Sequence, residues 1–93
     1  MRILGYIEHP ELKITVFKND ERISVKLENA GYEQTFKFGK DERVATLESV
    51  KQLIDAEFLQ TATAHMRLLH ENKAAAYKRM FTDNTEEVFE TIL

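Results

Sequence analysis

The sequence predicts a single α+β domain spanning residues 1–93. Three observations support this fold class. Apolar and polar residues alternate with a period of two over the first forty residues, the period becomes helical after Gly39, and neither Gly nor Pro occurs from 40 to 93. We therefore expect a four-stranded antiparallel meander over about 2–38, a long helix over about 46–81 and a short terminal helix over about 84–92.

Four stretches account for the strands. The alternation is regular in the last three of them and less regular in the first: 2–8, 12–17, 22–28 and 32–38. Pro10 marks the first turn, a polar 19–21 segment marks the second, and Gly31 suits the left-handed position of a three-residue hairpin loop over 29–31. Connections this short join antiparallel neighbours, so one face of the sheet is apolar and the other is solvated.

The helix begins near Thr46 or Ser49, because either residue can cap its first turn. Apolar residues then recur at steps that mostly add up to threes and fours: Leu47, Val50, Ile54, Phe58, Ala62, Leu69, Ala76 and Met80. A helix over 46–81 is about 54 Å long, whereas a seven-residue strand is about 23 Å long. The helix therefore either breaks, at 61–63 or 70–72, or overruns the sheet.

An overrunning helix is the predicted assembly element of this protein. Its apolar side continues past the sheet, and the oligomer interface candidates are Met66, Leu69, Ala76 and Met80. A symmetric homodimer is the commonest way to cover such a stripe. The intramolecular alternative is that the 84–93 segment folds back on the stripe as a helical hairpin and leaves a monomer.

Charge is distributed unevenly along the chain. The net charge of −3 creates no general attraction to nucleic acid or anionic lipid. Residues 83–93 contain four acids and no base, whereas 67–79 contains four bases and one acid. Much of the basic segment suits the end of a helix through the helix dipole. It can also pair with the acidic segment, within a subunit or between subunits.

No motif in the sequence indicates catalysis, a cofactor or a metal. The chain has no cysteine, and His65 and His70 are five residues apart, which separates them by about 140° on a helix, unlike a zinc-binding pair. Neither serine lies in a nucleophile motif. We expect a non-catalytic protein with no cofactor and no metal. A small-ligand enzyme remains the weakest alternative, and it requires a carboxylate or histidine facing a buried cavity.

The outer face of the sheet supports a different hypothesis. The alternation that buries Ile14 and Val25 exposes four cations around an aromatic ring: Lys13, Phe17, Arg22, Lys26 and Lys37. Surfaces of this kind bind single-stranded DNA or RNA. Glu28 and Glu33 lie on the same face, however, and Lys opposite Glu is ordinary sheet surface. Single-stranded nucleic acid is therefore the alternative partner, after a second copy of the chain or another protein.

The lack of cysteine and the short apolar patch at the N-terminus predict a cytoplasmic protein with no membrane association. The order of elements over residues 1–60, four strands and then a helix, resembles the unit found in Whirly and Pur-alpha type proteins. Those proteins dimerise through helices and bind single-stranded nucleic acid on sheet faces, so the resemblance implies the same two properties here. It concerns element order only, with no matching residue motif, and the acidic balance of this chain departs from it.

Overall fold

The computed structural model describes the backbone of residues 1–92 and the side chains of residues 1–82. Four antiparallel strands form one sheet in sequence order: β1 (Arg2–Ile7), β2 (Lys13–Asn19), β3 (Arg22–Asn29) and β4 (Tyr32–Lys40). A 3₁₀ turn (Glu42–Val44) leads to a short helix, α1 (Leu47–Leu53), and a long helix, α2 (Ala56–Ile92). The predicted α+β class and antiparallel meander are confirmed.

Two-residue loops close the second and third hairpins. Asp20 and Glu21 have φ values of 49° and 65°, and Ala30 and Gly31 have φ values of 49° and 86°. Positive φ at both central residues is the requirement of a type I′ turn, whose twist matches that of the flanking strands. The three-residue loop predicted over 29–31 is therefore wrong, because Asn29 pairs with Tyr32 in the β-ladder.

The core lies between one sheet face and the two helices. Its buried apolar residues come from β2, β3, the helices and the β1–β2 connection: Leu12, Ile14, Val16, Ile23, Val25, Leu27, Val50, Ile54, Ala62 and Met66. Gly5 allows α1 to approach β1 closely, since a Cβ atom there would lie 2.6 Å from Leu47 Cδ2. The period-two pattern reports the buried face of β3 correctly. In β2 it fails at Thr15, which lies between Ile14 and Val16 and is only 4% exposed although the alternation assigns it to the outer face.

The helical region divides at Ile54 and Asp55, and the break predicted at 61–63 or 70–72 is wrong. A capping box starts α1, in which Thr46 Oγ1 accepts from the Ser49 backbone N–H at 3.1 Å and Ser49 Oγ accepts from the Thr46 N–H at 3.0 Å. Asp55 Oδ1 accepts from the Phe58 N–H at 2.9 Å and caps the start of α2. The turn lets α1 cover β1 while α2 crosses β4.

Helix α2 continues without interruption through 37 residues, about 55 Å. The separate terminal helix predicted over 84–92 is therefore part of α2, and a fold-back hairpin of that segment is wrong as well. No Gly or Pro interrupts the segment, and Asp83 does not restart the helix. The molecule is elongated, with extents of 65 × 26 × 17 Å.

Candidate functional site

The first third of α2 packs on the sheet through β4. The rings of Phe36 and Phe58 meet edge to face at 4.9 Å between centroids, and Gln34 Nε2 donates to the Ala62 carbonyl oxygen at 2.8 Å. The last described contacts of α2 with the sheet are at Tyr32, whose hydroxyl lies 3.0 Å from His70 Nδ1. Lys73 Nζ lies 5.3 Å from the centre of the Tyr32 ring. The remainder of α2 extends past the sheet.

We call residues 67–82 of α2 the overhang, and every one of them is exposed. Its large apolar side chains include Leu69, Tyr77, Met80 and Phe81, which are 38%, 54%, 61% and 51% exposed. At 3.6 residues per turn these positions continue the side of α2 that buries Met66 on the sheet. Together with Ala76 they form what we call the overhang face.

The interface candidates predicted from the sequence are not equivalent in the structure. Met66 is only 7% exposed and belongs to the core. Leu69, Ala76 and Met80 are exposed on the overhang face, as the stripe indicates. Tyr77 and Phe81 were missed, although their i, i+4 spacing places two aromatic rings beside Met80. The centroids of the Tyr77 and Phe81 rings lie 5.6 Å apart.

Leu68 provides an internal comparison for the overhang face. It is 59% exposed and lies about 150° around the helix from the centre of that face, by the helical period. An isolated exposed leucine is ordinary protein surface. A group of two aromatic and two aliphatic side chains along three turns of one helix face is not.

The overhang is basic. It contains four cations and one carboxylate, Arg67, Glu71, Lys73, Lys78 and Arg79, and no ion pair joins any of them to another side chain within residues 1–82. Lys73 Nζ also lies 5.9 Å from the centre of the Tyr77 ring, so this ammonium lies beside an aromatic side chain of the overhang face.

The outer face of the sheet contains all five residues predicted for nucleic-acid binding. Phe17 pairs with Ser24, which pairs with Lys37, and residues in direct register share a face. Lys13, Arg22 and Lys26 occupy the same side by their register in β2 and β3. The five residues selected by the alternation therefore lie on the same face of the sheet.

Their charges differ in availability. Lys26 Nζ lies 3.8 Å from a Glu28 oxygen and 3.7 Å from a Glu33 oxygen, so two carboxylates already surround it. Arg22 and Lys37 have no ion pair with a described side chain. Of the predicted cations, Lys26 therefore has its charge partly neutralised by neighbouring carboxylates, whereas Arg22 and Lys37 do not.

Arg22 and Lys37 line a shallow depression of about 320 Å³. Its other lining residues are Met1, Phe17, Asn19, Ser24, Phe38 and Gly39. No carboxylate from the described part of the chain contributes to this lining. Tyr6 is 55% exposed and pairs with Thr15, two residues before Phe17 in β2. It gives the outer face of the sheet a second aromatic ring.

His9 and Asp41 have structural roles. His9 Nδ1 accepts from the backbone N–H groups of Glu11 and Leu12, each at 3.1 Å, and so orders the β1–β2 turn. Asp41 accepts from Arg43 Nη2 at 2.8 Å, and also from the Arg43 Nε and backbone N–H. These hydrogen bonds lower the pKa of Asp41 from 3.8 to about 2. Asp41 thereby caps the 3₁₀ turn.

Within residues 1–82, no histidine or carboxylate is buried, and the described residues contain no group of three His, Cys, Asp or Glu side chains arranged to hold a metal. Of the helices searched in the described region, none has both the length and the apolar character to cross a bilayer.

The chain matches no protein-family model, no curated protein and no solved structure. The resemblance to the Whirly and Pur-alpha unit therefore rests on element order alone. The overhang face and the outer face of the sheet are the two candidate binding surfaces.

Proposed function

We propose that this protein is a non-catalytic homo-oligomeric interaction module that associates through the overhang face. The supporting observation is continuity: the side of α2 that packs on the sheet continues for three turns past it with Leu69, Tyr77, Met80 and Phe81 exposed. A helix with one apolar side requires a second surface to cover that side. The predicted cytoplasmic location accompanies this proposal.

A second copy of the chain is the occupant that the charges favour. The overhang has an excess of bases, and positions 83, 86, 87 and 90 of the same helix are acidic. A second copy therefore offers an acidic segment to the basic overhang and a basic overhang to the acidic segment. Electrostatic complementarity selects partners of this kind. Closed symmetric pairs are also the commonest assemblies of a single chain.

Sedimentation velocity of the wild type and three variants tests the proposal. Burying a Met side chain fully is worth about 1.5–3 kcal/mol. Because Met80 is 61% exposed in the protomer, burial in both copies of a dimer is worth about 2–4 kcal/mol. We expect Met80→Glu to weaken association about thirty-fold or more, and Leu69→Glu to act in the same direction.

Leu68→Glu is the matched control, because it adds the same charge to the same helix outside the overhang face. The wild type and this control should sediment with about twice the 10.9 kDa chain mass, and the Met80 and Leu69 variants should sediment nearer that mass. A monomeric wild type at high protein concentration would contradict the proposal. So would equal dissociation of all three variants.

The second candidate function is binding of single-stranded nucleic acid on the outer face of the sheet. It is supported by the depression that places Arg22 and Lys37 beside Phe17 without a carboxylate. Cations that follow phosphates and rings that stack on bases are the usual elements of such sites. This candidate does not depend on the overhang.

A labelled oligothymidine titration at several salt concentrations tests this candidate. Each phosphate neutralised on a single strand contributes about −0.7 to the log–log salt slope, so Lys37→Ala should make the slope shallower by about that amount. Lys26→Ala should change it less, since Glu28 and Glu33 surround that ammonium. Lys51→Ala on α1 is the control, and an equal effect of all three variants would reject the site.

A further inference from the structure

The distribution of charge along α2 indicates how two copies align. Bases are concentrated in the overhang, and the four acids at 83, 86, 87 and 90 follow it on the same helix. In a parallel pair each segment lies level with the same segment of the other chain, which places acids beside acids and bases beside bases. In an antiparallel pair each segment lies level with the opposite charge, and like-charge juxtaposition is avoided.

From this pattern, and resting on the proposed self-association, we infer that two copies pair antiparallel along α2 with the two-fold axis level with Met80. Residue i of one copy then lies level with residue 160 − i of the other. Lys73 is level with Glu87, and Tyr77 with Asp83. The other two acids, Glu86 and Glu90, are level with 74 and 70.

The position of the sheet is compatible with this register. With the axis at Met80, position 92 of one helix is level with Leu68 of the other, so neither described helix reaches the part of α2 that buries Met66. Met80, which is 61% exposed, lies opposite the Met80 of the other chain. The overhang face of each copy is then covered by the second half of the partner's helix.

The arrangement also sets the distance between the two sheets. Ala62 lies near the middle of the sheet-covered part of α2 and 18 residues before the axis. At 1.5 Å per residue the two sheet-covered parts are separated by about 54 Å along the helix direction. The outer sheet faces therefore lie at opposite ends of the pair.

Single-cysteine variants test the alignment, because the wild type has no cysteine. A disulfide requires Cα atoms about 4.4–6.8 Å apart, so it reports which positions are level. Under a glutathione disulfide buffer, Met80→Cys should form a covalent dimer. An equimolar mixture of Lys73→Cys and Glu87→Cys should give the mixed disulfide in excess of either self-linked product, and Leu68→Cys, outside the overhang face, is the control.

The outcomes separate this inference from the proposed self-association. Efficient self-linking of Lys73→Cys, in a chain that sediments as a dimer, would overturn the antiparallel register and leave the self-association intact. A wild type that sediments as a monomer would remove both. In a dimer, Lys73→Glu should weaken association, and adding Glu87→Lys to it should restore association; loss of association in the double variant would also overturn the alignment.

Discussion

The β3–β4 turn gives a sharp test of the fold, because its two residues respond oppositely to substitution. Ala30 has φ of 49°, and a Cβ atom in left-handed backbone costs about 1–2 kcal/mol. Asn tolerates this conformation, and Asn-Gly is a preferred type I′ pair. Since Ala30 is exposed, we expect Ala30→Asn to stabilise the protein by about 0.5–1 kcal/mol, or about 2–8 °C in Tm.

Gly31 should respond in the opposite direction. Its φ is 86°, and a Cβ atom added there meets nothing within 4 Å. The cost of Gly31→Ala is therefore backbone strain rather than a steric clash, and we expect a loss of about 1–2 kcal/mol. Ala45→Asn is the control, because Ala45 has φ of −102° and does not need left-handed backbone.

Urea unfolding followed by circular dichroism, at fixed protein concentration, measures all three variants. In a three-residue loop that included Asn29, position 30 would adopt right-handed backbone. Ala30→Asn would then be neutral or destabilising, as at Ala45. That result would refute the two-residue type I′ assignment and, with it, the pairing of Asn29 with Tyr32.

Two further predictions concern the attachment of α2 and the response to acid. Gln34→Ala removes the 2.8 Å hydrogen bond to the Ala62 carbonyl oxygen and should lower the free energy of unfolding by about 0.5–1.5 kcal/mol; an unchanged urea midpoint would show that α2 docks without it. The lowered pKa of Asp41 means that its ionised form stabilises the fold above pH 3.8, and that this contribution is lost as the pH falls from 3.8 toward 2. Asp41→Asn should therefore reduce the pH dependence of stability in that interval, whereas an unchanged acid profile would contradict the capping role.

The strands could be predicted because alternation reports directly which side of a sheet is buried. The same alternation placed Lys13, Phe17 and Arg22 on one face. It also placed Glu28 and Glu33 on that face, but it could not specify that both carboxylates pair with Lys26, since that depends on cross-strand register and side-chain reach. Nor could it predict the depression beside Lys37, which several strands and Met1 form together.

The helices were harder to predict, because the decisive interactions are tertiary. Val50 of α1 and Ile54, which follows it, are buried, while Ala62 is buried from α2. One straight helix cannot reach both regions of the sheet. The chain therefore turns at Ile54 and Asp55, where Ile54 leaves helical backbone geometry and Asp55 caps α2. The loop at 29–31 was misjudged for a similar reason, since its length depends on whether Asn29 joins the ladder.

The exposure of the overhang connects folding with association. Helices that lack tertiary packing are marginal in water because their nucleation is costly, and residues 71–82 have little packing on the sheet beyond the contact of Lys73 with Tyr32. In an isolated protomer their amide hydrogens should exchange with solvent much faster than those of β2 and β3. If a second copy covers the overhang, those amides become protected as the protein concentration rises. The helical content of this chain is then itself a measure of its assembly.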